Sequence, residues 1–166
     1  MAESEERVII PLRSVEDLRM VMVRQRWEQP NIEDIPVAVE DQLAAAGALS
    51  RIRPGNEIGI TAGSRGIATM PAVLRAVVAL VRSRGGEPFI FPAMGSHGGG
   101  TAEGQRGVLA ALGITEATMG CPIRATMEVV PLGTTAAGLP VYLDAWAARA
   151  DGIIVLNRIK KHTNFD

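Results

Sequence analysis

Residues 56–93 constrain the fold more than any other stretch, because they read as one strand–helix–strand unit. NEIGITAG (56–63) is a short apolar run that ends in small residues, and EPFIFPA (87–93) is a second apolar run. Between them, MPAVLRAVVALVRSRGG (70–86) has helical spacing. Pro71 suits the first turn, and Val73, Val77, Leu80 and Val81 are expected on one face. Arg75 and Arg82 share another face, and Gly85 and Gly86 stop the helix.

The same alternation continues downstream. Thr101 is placed as the N-cap of a helix over AEGQRGVLAALG (102–113), with Glu103 near its positive end. ADGIIVLN (150–157) reads as a buried strand, and MEVVPLG and LPVYLD form a hairpin through TTAAG. Upstream, RVIIPL (7–12) reads as a strand and Ser14 with Asp17 as a capping box. A polar connection with Pro30 and Pro36 then leads to a helix over VAVEDQLAAAGAL (37–49) and an RPGN turn. This order predicts one α/β domain over residues 1–166, a mostly parallel, Rossmann-like sheet with helices on both faces. Hydrophobic residues make up 47% of the 166, enough for a core, and small aliphatic side chains suit close helix-on-sheet packing.

Composition narrows the function classes. The net charge is −1 with Lys and Arg scattered, so neither nucleic acid nor an anionic membrane is an expected partner. No apolar stretch approaches eighteen residues, and the acidic start MAESEERV lacks the features of a secretion signal. The single cysteine, Cys121, excludes an intrachain disulfide. A cytoplasmic location is expected, and self-association is left open. Cys121, Trp27 and Trp146 are read as packing residues and Asp144 as a helix cap. The methionines are too scattered for a metal site.

Ligands of parallel sheets bind beyond the carboxyl ends of the strands. Three segments leave a predicted strand and turn polar or glycine-rich at once: TAGSRG, AMGSHGGGT and RIKKHTNF. They contain both histidines of the chain, His97 and His162, together with Ser64 and Arg65. Glycines around His97 let a ligand approach the chain, and the helix start at Gly98, Gly99, Gly100 and Thr101 offers amides to a phosphate or carboxylate. The loop is neither a Walker A motif nor a GxGxxG fingerprint. Arg65 offers a planar fork to a carboxylate or phosphate, Ser64 a hydroxyl, and Gly63 and Gly66 close approach. The plain alternatives are a solvated arginine, a solvent-facing His97 and a basic surface loop around His162, Lys160 and Lys161.

Taken in order, GSRGI, PAMGSHGGGTAEGQ, LGITE, PVYLD and ADGIIVLNRIKKHTNF resemble the N-terminal part of the lactate racemase family, the nickel-pincer-nucleotide-dependent 2-hydroxyacid racemases and epimerases. The resemblance runs from about residue 50 to the end. It implies an isomerase in which a hydride leaves C2 of a 2-hydroxyacid and returns on either face. His97 and His162 would be the two acid/base residues, one for each enantiomer, since one base cannot serve mirror-image geometries. Arg65 would hold the substrate carboxylate or help bind the cofactor, Ser64 would be a further substrate contact, and Gly98, Gly99, Gly100 and Thr101 would bind the nickel-pincer nucleotide. Two departures matter. Ala62 stands where lactate racemases carry an acidic residue, which argues for a substrate other than lactate. The family's cofactor-bonding lysine and nickel-ligating histidine match no residue here, so no metal ligand is expected within these residues. The chain then reads as the N-terminal domain of a two-domain enzyme, inactive alone. The competing readings are a non-catalytic binding module for phosphate, carboxylate or a nucleotide, and a regulatory or assembly domain.

Overall fold

The computed structural model describes residues 21–26 and 31–158. The chain divides into two units, 1–31 and 32–166. Of the first, residues 21–26 are exposed and in neither helix nor strand. The second contains every element below. The expected strand at 7–12, the Ser14–Asp17 capping box, Trp27, Lys160, Lys161 and His162 lie outside the described residues.

The second unit begins with helix α1 (Ile35–Ala45), capped by Asp34, whose carboxylate accepts from the Val37 amide at 3.1 Å. It starts earlier than the sequence pattern suggests because Pro36 sits in its first turn, where no amide donor is needed. It also ends earlier: Gly47 is left-handed (φ 65°) and a separate 3₁₀ turn follows over Leu49–Arg51.

Strand β1 (Glu57–Ala62), helix α2 (Met70–Ser83) and strand β2 (Glu87–Pro92) form the expected parallel unit, with Ile60 opposite Ile90. Gly85, at φ 80°, stops α2. The helix is rotated from the face read in the sequence. Leu74, Val77, Val78 and Val81 are buried, while Val73 and Leu80 are half-buried. A four-residue apolar choice at 77, 78, 80 and 81 allows either face, and packing against the sheet selects the one containing Leu74.

After β2 come α3 (Ala102–Ala111) and the short α4 (Glu116–Met119), which the sequence reading left unassigned. Then follow the antiparallel hairpin β3 (Val129–Thr134) and β4 (Pro140–Asp144), and strand β5 (Gly152–Ile154). The main sheet runs β2–β1–β5, with both pairings parallel. One face of it, with Ile58, Ile60, Ala62 and Ile90, packs on α2, α3 and α4 through Leu74, Val77, Val81, Leu109 and Met119. The other face carries Phe89 and Phe91, and Leu143, Trp146 and the 3₁₀ turn Ala147–Arg149 cover it. The α/β class with a parallel sheet therefore stands, with its α-helices on one face and the hairpin and a 3₁₀ turn on the face where the sequence pattern predicts further helices.

The strand expected to be buried over 150–157 is in fact a three-residue ladder at the sheet's edge. Ile153 is 38% exposed and Val155 73%. Its backbone pairing covers only Ile58–Ile60 of the longer β1. Asp144 is a cap as expected: its carboxylate accepts from the amides of Trp146 (2.8 Å) and Ala147 (3.0 Å). Among the described residues no helix is long and apolar enough to cross a membrane.

Candidate functional site

Because β1 lies between β2 and β5 and all three run the same way, the segments that follow them meet at one sheet edge. A cavity of about 260 Å³ opens there. Its polar lining is Ser64 and Arg65 after β1, His97 after β2, and Asn157 and Arg158 after β5. Met70 and Met94, both buried, form its apolar floor. Larger grooves of about 610 and 530 Å³ lie along α1–α2 and along α3–α4. Neither is lined by a histidine or by the strand-end loops, so the smaller cavity is the one with convergent chemistry.

Ser64 and His97 are 33 residues apart in sequence and joined in space: Ser64 Oγ lies 2.5 Å from His97 Nδ1. With Nδ1 engaged, Nε2 is the ring nitrogen left for a ligand. Where Nδ1–H donates to the serine oxygen, Nε2 bears the lone pair of a base. The hydroxyl can equally donate to Nδ1, which leaves a proton on Nε2. Ser64, read from the sequence as a substrate contact, is thus a partner of the imidazole.

The loop that presents His97 is built from left-handed backbone. Gly95, Gly98, Gly99 and Gly100 all have φ between 60° and 70°. Helix α3 grips the loop at two points. The buried Gln105 amide donates to the Gly95 carbonyl at 2.8 Å, and Thr101 Oγ1 donates to the Gly98 carbonyl at 3.3 Å while accepting from the Gly104 amide at 3.1 Å. Gly98 and Thr101 are therefore engaged in seating the loop on the helix, whereas Gly99 and Gly100 border open space. The cavity lining includes none of Gly98–Thr101.

The third segment is held by Thr61, which is buried. Its hydroxyl donates to the Leu156 carbonyl (3.0 Å) and accepts from the Leu156 amide (2.7 Å). It thereby continues the β1–β5 ladder after the backbone pairs end at Ile60 and Ile154. The next two residues, Asn157 and Arg158, enter the cavity. Asn157 Oδ1 lies 2.9 Å from where a Cβ on Gly63 would sit, so the glycine makes room for the amide. The sequence reading named neither as a site residue. Asn157 closes an apolar run and reads as part of the strand, and Arg158 stands beside the more conspicuous Lys160, Lys161 and His162. The available signal was their position just past a strand, the same signal that marks Arg65.

Among the described residues no group of three His, Cys, Asp or Glu side chains could hold a metal ion. Cys121 is buried in the core, and that burial pushes its thiol above its ordinary range against the opposing effect of Arg82. It serves as packing, as the sequence suggested.

The profile of a domain of unknown function, DUF362, matches residues 56–165. The chain belongs to the DUF362 family. The match includes every candidate site residue and leaves α1 outside it. No curated protein and no solved structure matches the chain.

Proposed function

We propose that this DUF362 chain binds a small 2-hydroxyacid at the β1–β2–β5 edge and supplies acid/base chemistry for its racemisation or epimerisation. The observation that supports this most is the Ser64–His97 pair opening onto a cavity shared with Arg65. Arg65 is exposed and, among the described residues, in no ion pair. Its fork is free to take the substrate carboxylate in bidentate fashion, which leaves the adjacent 2-hydroxyl for His97 Nε2. Ser64 keeps the ring oriented while Nε2 takes up and returns the proton. Asn157 offers an amide donor to the same ligand. The resemblance assigns His162 the corresponding role toward the other enantiomer.

Racemisation by this route also needs an acceptor for the C2 hydride. The resemblance supplies the nickel-pincer nucleotide for that step. The described residues offer the metal no donor set, so proton handling and carboxylate binding are the parts derived from them.

A racemase must bind both mirror images, whereas a plain carboxylate-binding module has no such requirement. The test is titration of the chain with the D and L enantiomers of lactate and of malate, followed through the His97 ring resonances. Two histidines in the chain make the spectrum readable. Both enantiomers are expected to shift His97, and Arg65→Met is expected to weaken both about tenfold, one charge-assisted contact. Silence of His97 toward both enantiomers of both acids would refute the reading. Binding of inorganic phosphate in preference to either lactate, unaltered in His97→Ala, would favour the binding module.

A further inference from the structure

Resting on the hydroxyacid reading above, we infer that the site selects a dianion: a 2-hydroxyacid that bears a second anionic group, carboxylate or phosphate. Two arginines from different loops line the cavity, Arg65 after β1 and Arg158 after β5, and no aspartate or glutamate lines it. The ion pairs among the described residues are Arg106–Glu116 and Arg124–Glu57, so neither cavity arginine is neutralised there. A single carboxylate satisfies one guanidinium in a bidentate pair. The second cation then remains uncompensated in the same cleft and repels the first. A ligand with two anionic ends pairs both.

The position of Arg158 is fixed by more than its own side chain. The buried Thr61 hydroxyl clamps the backbone of Leu156 through both its amide and its carbonyl, two residues before Arg158. Asn157 between them lies against Gly63, a buried glycine whose missing Cβ leaves the space. The end of β5 is thus tied to the β1 segment that leads to Arg65, and both arginines line the same cavity. About 260 Å³ holds roughly nine water-sized groups of about 30 Å³ each, room for a small acid.

Titration calorimetry of the chain with L-malate, 3-phosphoglycerate and L-lactate tests this. At least one of the two dianions is expected to bind about tenfold tighter than lactate. In Arg158→Met that ratio is expected to fall toward one, and Arg158→Lys, which keeps the charge and loses the fork, to give an intermediate ratio. The exposed position of Arg158 predicts unchanged melting temperatures for both variants. Tighter malate assigns the second group to a carboxylate, and tighter 3-phosphoglycerate to a phosphate. Lactate binding that equals or exceeds both dianions, or a ratio untouched in Arg158→Met, overturns the inference and leaves the hydroxyacid reading standing. Failure of all three acids to bind overturns both.

Discussion

Helix α3 contains two glycines, Gly104 and Gly107, and the structure assigns opposite signs to the same substitution at each. A Cβ at Gly107 would meet nothing within 4 Å. Gly107→Ala therefore gains helix propensity alone, about 0.5–1 kcal/mol of added stability. A Cβ at Gly104 would lie 1.9 Å from the carbonyl oxygen of Gly98 and 2.8 Å from its carbon. That oxygen is backbone in the loop after His97, so no rotamer change relieves the clash. The separation must open by about 1.5 Å to reach the 3.4 Å of ordinary contact. Opening it lifts the loop from the helix and breaks the Thr101–Gly98 hydrogen bond. Overpacking a tight contact costs about 1–3 kcal/mol, and a backbone-on-Cβ clash belongs at the upper end. After the same propensity gain, Gly104→Ala is expected to lose about 2 kcal/mol.

The two alanine variants then differ by about 3 kcal/mol, which at roughly 3 °C per kcal/mol for a chain of this size separates their melting temperatures by about 9 °C. Differential scanning calorimetry of parent and both variants reads this directly. The comparison cancels the chemistry of the change and isolates the site. Equal stabilisation by both substitutions would mean that Gly98 does not rest on Gly104. One of the two points at which α3 grips the His97 loop would then be absent, and only the Gln105–Gly95 hydrogen bond would seat it.

Thr61→Val removes both hydrogen bonds to Leu156 at nearly constant volume and should cost about 1–3 kcal/mol, with faster exchange of the Leu156 amide, whereas Thr61→Ser should retain protection. An unchanged exchange rate in Thr61→Val would rule out the clamp. Arg124 lies over Phe89 (4.5 Å) and Trp146 (4.8 Å) and pairs with Glu57 at 2.8 Å, so Arg124→Ala should cost about 1–2 kcal/mol in urea unfolding, partly recovered in Arg124→Lys. Full recovery by lysine would show that the stacking contributes nothing. The buried Cys121 thiol, raised above its ordinary value of about 9, should resist iodoacetamide at pH 8 in the folded chain and react on unfolding. Since the unfolded thiol ionises first as pH rises, this residue's contribution to stability is complete below pH 9 and declines above it. A stability that rises above pH 9 on account of Cys121, judged against Cys121→Ala, would contradict the sign.

The parts of this molecule legible in its sequence are those fixed by neighbours in the chain. The β1–α2–β2 unit follows from apolar period and from the glycines that end α2. The Thr101 cap needs only an acceptor three residues before the Gly104 amide. The hairpin needs only turn residues between two short runs. Even the capping box of α4 is local, but Thr115 and Thr118 form it with a threonine where glutamate or glutamine is usual, so the usual sequence signature is absent. From these local facts the sheet edge follows, and with it the prediction that Arg65 and His97 lie at the same end of the sheet.

What the pattern does not encode is which atoms meet there. The Ser64–His97 contact depends on the loop after β2, whose glycines are seated on α3 through Gln105 and Gly104. The entry of Arg158 depends on a threonine 95 residues before Leu156 in the chain, since β5 itself pairs over three residues and would otherwise release its end. In each case a buried, uncharged side chain decides where a functional one points, and nothing in composition distinguishes Thr61 or Gln105 from other polar residues. Both are nonetheless nearly inaccessible, at 6% and 7%, and they are the buried polar residues among those described. A polar group enters a core at a cost unless its hydrogen bonds are made there. Here the bonds of both go to backbone of the strand-end segments that form the cavity, so the chain has invested its buried polarity at this one sheet edge.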